Sequence, residues 1–297
     1  MTSSSWLDEL PVLGRLPAEQ AAAKLREVGE DELADALQAA RHDGPATTYG
    51  LPGLRLRRDR AFRHTGHAIG HLAPAPGSHS NHLPINHAGN IAPDPSLKDA
   101  RITLILDRLY VADYPGRGPH RILFEFAAGD VHFNAAYRAA EGEHAAVIGR
   151  PIFVGLHVGD HGLHLQAATV NVHNEDDEAF LQFLEADAFK HGLQLATTWQ
   201  PALVPLSAMA VGLTKAIAAR HRNVAVQAVE LGLDFRAGPT GARMAEGAYI
   251  AVQIPESHQQ IFRWQDWVYD PTAGYIVSAA DPAQPLPYNF FTLGISR

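Results

Sequence analysis

Residues 151–172 read PIFVGLHVGDHGLHLQAATVNV, two runs with apolar residues at every second position around Gly159-Asp160-His161-Gly162. A period of two is the signature of a strand with one face buried. The spacing predicts a hairpin whose tight turn pairs Val158 with Leu163 and His157 with His164. One face then carries Ile152, Val154, Leu156, Val158, Leu163, Leu165 and Ala167, and is expected in the core. The other carries Phe153, Gly155, His157, His164 and Gln166. Directly opposed residues on such a ladder stand about 5 Å apart at Cβ, so the two imidazoles would reach one ion. Zinc or another transition metal takes a further protein ligand, which His161, Asp160 or a histidine from 64–87 is expected to supply. A hydrogen-bonded histidine pair on a half-exposed sheet explains the same residues without a metal and is preferred, because no third ligand is fixed by the spacing.

The same period recurs along the chain from residue 101. Arg101–Ala112 is strand-like, Ile122, Phe124 and Phe126 alternate with Leu123 and Glu125, and Val229, Leu231, Leu233 and Phe235 alternate with polar residues and glycine. Further strands are expected at Leu163–Val172, Ala248–Ile254, Trp267–Tyr269, Tyr275–Ser278 and Asn289–Ile295. Turn residues separate them. The pattern predicts a mainly β fold, an antiparallel β-sandwich of about eight or nine strands. Two helices interrupt it. One starts at the N-cap Asn174, runs through the acidic turn Glu175–Glu178 and ends at Lys190, His191 and Gly192. The other spans about Leu206 to Arg220, with Leu206, Met209, Leu213 and Ile217 on one face.

Upstream, residues 17–41 read as a small N-terminal helical hairpin broken at Gly29. The expected organisation is a helical appendage over 1–42, an irregular His-, Arg- and Pro-rich linker or wrapping segment over 43–100, and a β-sandwich domain over 101–297. Inside the middle segment, 64–87 (HTGHAIGHLAPAPGSHSNHLPINH) holds six of the chain's seventeen histidines: His64, His67, His71, His79, His82 and His87. Gly66, Gly70 and the following prolines make a helix there poor. The segment reads as a connector that folds over the sandwich and contributes at most one ligand. The arginines at 55, 57, 58, 60 and 63 read as a charged, solvated stretch rather than an anion grip.

Composition narrows the function. The 297 residues are 46% hydrophobic, carry a formal net charge of −8 and include no cysteine. The acidic surface disfavours nucleic acid. Without cysteine there is no disulfide, thiolate zinc site or cysteine nucleophile, and a cytoplasmic location is expected. The N-terminus lacks the pattern of a signal peptide. After Pro205 the apolar stretch 202–219 leaves only about 14 residues, near 21 Å of helix, too short for a bilayer of about 30 Å, so no stable membrane insertion is expected. No G-x-S-x-G elbow or Walker A loop occurs.

The leading expectation is a non-catalytic recognition module that binds a partner protein through the helical hairpin, the segment 43–100 or the aromatic stretch Trp264, Trp267 and Tyr269. A metal-dependent hydrolase is the first alternative, with zinc or another transition metal on His157, His164 and His161 and with Asp160 or Glu175 as base. A calcium-assisted membrane-associating domain is the second, through the oxygen-rich run NVHNEDDE at 171–178. Capping of the following helix explains that run as well. No other cofactor is expected.

Overall fold

The computed structural model describes residues 5–39, 65–74, 82–147, 149–177, 181, 193–194, 212–236 and 241–297. The chain is mainly β, with antiparallel sheets and a few helices. Helices α1 (Ala18–Glu27) and α2 (Asp31–Ala39) precede the strands β1 (Thr65–Leu72), β2 (Leu83–Pro84), β3 (Asn86–His87), β4 (Arg101–Val111), β5 (His120–Ala128) and β6 (Val131–Ala139). Next come β7 (Glu143–His144), β8 (Arg150–His157), β9 (Gly162–Asn171) and β10 (Leu193–Gln194), then helix α3 (Leu213–Ala218). The remainder is β11 (Val224–Asp234), β12 (Ala242–Arg243), β13 (Gly247–Pro255), the one-turn α4 (Glu256–Gln259), β14 (Trp267–Asp270), β15 (Tyr275–Ser278) and β16 (Phe290–Ser296).

Three sheets form among the described residues. The largest has eight strands in the order β10-β8-β4-β16-β13-β1-β3, with β7 also on β4; the second runs β12-β11-β9-β5-β6; the third is β15-β14-β2. Among the described strands only the two-residue pairings of β10 with β8 and β12 with β11 are parallel. One hydrophobic cluster takes side chains from both larger sheets: Ile102, Leu104, Phe153 and Phe291 from the first, and Phe124, Phe126, Leu165 and Leu233 from the second. Each larger sheet also buries part of its outer face. Leu7, Leu10, Val12 and Ile217 lie on Leu123, Ala168 and Val170 of the five-stranded sheet. On the eight-stranded sheet, Trp264, Ile276 and Leu286 cover Ile250, Val252 and Phe290.

The expected β8–β9 hairpin is not formed. β8 pairs with β4 and β10, whereas β9 pairs with β5 and β11, so the two strands lie in different sheets. Between them the isolated bridge Gly159↔Gly162 closes the connection. Alternation states which face of a strand is apolar. It does not state which sheet the strand joins. Here the apolar faces of β8 and β9 are buried in the same cluster, which strands of two different sheets achieve without pairing. A register shift against β4 between Leu156 and Val154 reverses the phase of β8 there, and a second between Phe153 and Pro151 restores it. Gly155 sits at one of them with φ +78°, a conformation glycine adopts without steric cost. As a result Phe153, expected on the outer face, is fully buried beside Leu104.

Within the segment 43–100 one long strand, β1, is formed. β1 pairs with β13 over eight residues, Thr65↔Pro255 to Leu72↔Ala248. Its glycines serve packing: a Cβ on Gly70 would stand 2.7 Å from Ile85 and 2.8 Å from Trp264. The arginine stretch, His64 and His79 lie outside the described residues, as do most of the expected helix after Asn174 and residues 206–211. The N-terminal hairpin forms, turning at Gly29 with φ +81°. It docks through Ala21, Ala22 and Leu25, which join the main core. No described helix is long and apolar enough to cross a membrane.

Candidate functional site

The histidines singled out by spacing are set apart. His157 is exposed on β8, 3.8 Å from the Asp99 carboxylate. His164 is exposed on β9 and donates from Nε2 to Glu230 Oε1 at 2.9 Å. His161 is exposed in the connection, where its carbonyl accepts from the Phe235 amide at 3.3 Å, and Asp160 is 3.5 Å from Lys98. The cross-strand geometry that brought two imidazoles to one ion is therefore absent. No group of three His, Cys, Asp or Glu that could hold a metal occurs among the described residues. Of the histidine-rich segment, His71 is buried against the Tyr249 ring with Nε2 3.1 Å from the Glu246 carbonyl, and burial lowers its pKa. His87 is exposed and accepts from the Gly89 amide at 3.0 Å.

The run 171–178 is used locally. Asn174 Oδ1 accepts from the Asp176 amide at 3.1 Å, as a helix N-cap does. Asp177 is buried in an ion pair with Arg220 and accepts from Asn223 Nδ2 at 2.7 Å. Glu175 is exposed. Beside this turn, the Asn171 amide nitrogen stands 2.9 Å from His120 Nδ1 and 2.9 Å from His173 Nε2, and donates to the Pro115 carbonyl at 2.7 Å. Burial, and then the neighbouring His173, hold the His120 imidazole down at about 4, against the pull of its Asn171 contact. His120 is thus neutral and the network ties the β4–β5 connection to β9.

Two places carry chemistry beyond such ties. The first lies on the outer face of the five-stranded sheet. Phe124 and Phe126 point into the core, so Glu125 points outward, opposite Asn134 on β6. The next outward pair is Ala127 and His132. His132 Nδ1 donates to Glu125 Oε1 at 2.6 Å, and the carboxylate is only 1% exposed. Trp6 lies over His132 with ring centroids 5.8 Å apart, and the Thr214 hydroxyl donates to Asn134 Oδ1 at 3.3 Å. Glu125 Oε2, Asn134 Nδ2 and Trp6 Nε1 are buried with no hydrogen-bond partner among the described residues. A buried polar atom without a partner is uncommon in a folded chain. Here an acceptor and two donors share one small area.

The second place is an aromatic ridge beside the three-stranded sheet. Phe262 packs edge-on to Trp264 at 5.0 Å, stacks on Trp267 at 6.4 Å and meets Tyr288 at 6.3 Å. Tyr288 is hydrogen-bonded to His258 Nδ1 at 2.9 Å. Phe262, Trp267, Tyr288 and His258 are each half-buried, whereas Trp264 is buried. Ile261 projects from this group 67% exposed, the one large hydrophobic so exposed among the described residues. Further along the same cover, His144 sits among Tyr110, Tyr275 and Phe290. Burial, and then the charge of Arg108, hold its pKa down at about 4.

Sequence reasoning reached the aromatic ridge through Trp264, Trp267 and Tyr269 but missed Glu125 and His132. Their signal was an acid between two phenylalanines in a strand, followed seven residues later by a histidine across Gly129-Asp130. That signal needs β6 to be recognised, since only the hairpin brings the two together. Comparison with protein-family models, curated proteins and solved structures found no match, so both places are read from their own chemistry.

Proposed function

We propose that the chain is a non-catalytic recognition module on a β-sandwich scaffold, with the two larger sheets as its layers, and that it binds a partner protein through the aromatic ridge. The observation that carries this reading is Ile261, a large apolar side chain held in solvent among half-buried rings. Exposed, it contributes nothing to the core. Covered by a partner, a side chain of this size contributes roughly 1.5–3 kcal/mol of burial. Trp and Tyr beside it are residue types that dominate binding energy at interfaces. Exposed Arg263 and Asp266 supply the polar rim such a contact has. The absence of cysteine suits a reducing compartment, and the reading places the chain in the cytoplasm.

The test is capture from the native source with the purified chain as bait, comparing wild type with Ile261→Asp. A partner recovered by wild type and lost with Ile261→Asp, at unchanged folding, is the expected result. A partner held equally by both proteins contradicts the ridge as its contact.

A further inference from the structure

The geometry points to a second binding site, for a small hydroxyl-bearing ligand, on the outer face of the five-stranded sheet. It is independent of the aromatic ridge, which lies on the other large sheet. Three atoms define it: Glu125 Oε2, Asn134 Nδ2 and Trp6 Nε1, all buried and none hydrogen-bonded among the described residues. They share one area because Glu125 and Asn134 are direct cross-strand partners, His132 is hydrogen-bonded to Glu125, and Trp6 covers His132. The floor is low. Opposite Glu125 on β9 stands Ala168, and beyond it on β11 stands Ala228. Both methyls are buried under the apolar cover of the sheet and offer the carboxylate no hydrogen-bond partner.

The inventory of donors and acceptors selects the ligand. A carboxylate oxygen only accepts, whereas an amide NH2 and an indole N–H only donate. An anion is repelled by Glu125, and an ammonium group has nothing to offer two N–H donors. A hydroxyl does both. Its hydrogen goes to Glu125 Oε2 while its oxygen accepts from Asn134 Nδ2 and Trp6 Nε1. The flat indole gives the carbon skeleton of a polyol or sugar an apolar surface to lie against. His132 holds the Glu125 carboxylate in place through Oε1 and leaves Oε2 for the ligand.

The experiment is a titration of the full chain with glycerol, myo-inositol and glucose, each followed by the indole N–H resonances in a proton–nitrogen NMR spectrum. The chain has four tryptophans, and Trp6→Phe identifies the Trp6 signal by its disappearance. A saturable shift of that signal with at least one of the three is expected. Asn134→Ala removes one donor and should weaken the binding roughly tenfold, the effect of one lost hydrogen bond. No shift of the Trp6 signal with any of the three compounds overturns the proposal. So does a shift that Asn134→Ala, folded as judged by its remaining resonances, leaves at wild-type affinity.

Discussion

The outer faces of the two large sheets are both covered, but by different chemistry. On the eight-stranded sheet the cover is aromatic and aliphatic: Trp264, Ile276 and Leu286 lie on Ile250, Val252 and Phe290, and the surplus apolar surface emerges as Ile261. On the five-stranded sheet Trp6 and α3 lie over a carboxylate, an imidazole and an amide. Apolar packing is non-directional, so an extra apolar group at its margin is exposed without penalty beyond its own hydration. Polar groups under a cover must each find a partner, and three of them have none among the described residues. On the proposed reading the first face offers area to a large partner and the second a few directed bonds to a small one.

Removing one member of the Glu125–His132 pair should give the largest effect. Glu125→Ala leaves His132 without its partner under the Trp6 cover and is expected to cost about 3–5 kcal/mol, measured by urea unfolding. Replacing both residues together, Glu125→Leu with His132→Phe, should restore most of this loss, because an apolar pair needs no partners. A double variant as unstable as the single one would show that the polar cover depends on more than this pair.

On the aromatic side the corresponding change is steric. Gly70→Ala sets a methyl 2.7 Å from Ile85 and 2.8 Å from the Trp264 ring. Overpacking of this kind costs about 1–3 kcal/mol, seen as a lower denaturation midpoint with a perturbed Trp264 signal. A neutral Gly70→Ala would mean that the aromatic cover shifts freely on its sheet.

A smaller effect is a dependence on pH. His144 in the aromatic cover is held neutral down to about 4, while an unfolded histidine takes up its proton near 6.5. Between these values the unfolded chain binds more protons, so stability from this group is full above 6.5 and is lost as pH falls to about 4. His120 contributes a loss of the same sign in the same window. His144→Phe should make the unfolding midpoint fall less steeply from pH 6.5 to 4, as measured by a denaturant series. An unchanged slope would assign the acid sensitivity to other groups.

Much of the fold was legible because a half-buried strand repeats every second residue. β4, β5, β9, β13 and β15 lie where alternation put them, within a few residues. β6 was missed although Val131, Phe133, Ala135, Tyr137 and Ala139 alternate with His132, Asn134, Ala136 and Arg138, since alanines on both faces dilute the contrast. β1 was hidden for another reason. Its glycines, which admit Trp264 and Gln259, resemble those of a linker. The assignment of β8 and β9 to different sheets was not legible at all, because alternation is blind to the partner strand. Glu125 was read only as an alternating position of β5. Its connection to His132 and Asn134 is a property of the β5–β6 pairing and became visible only with that register.

The smallest expected change in stability carries the central claim, that the exposed apolar surface at the ridge serves binding. Ile261 is exposed and makes no core contact, so Ile261→Asp should change stability by no more than about 0.5 kcal/mol. The most direct measurement is to determine the unfolding midpoint and the recovery of a partner on the same preparations of wild type and Ile261→Asp. An unchanged midpoint with recovery abolished is the predicted result. A lowered midpoint with recovery intact would make Ile261 part of the fold and not of an interface.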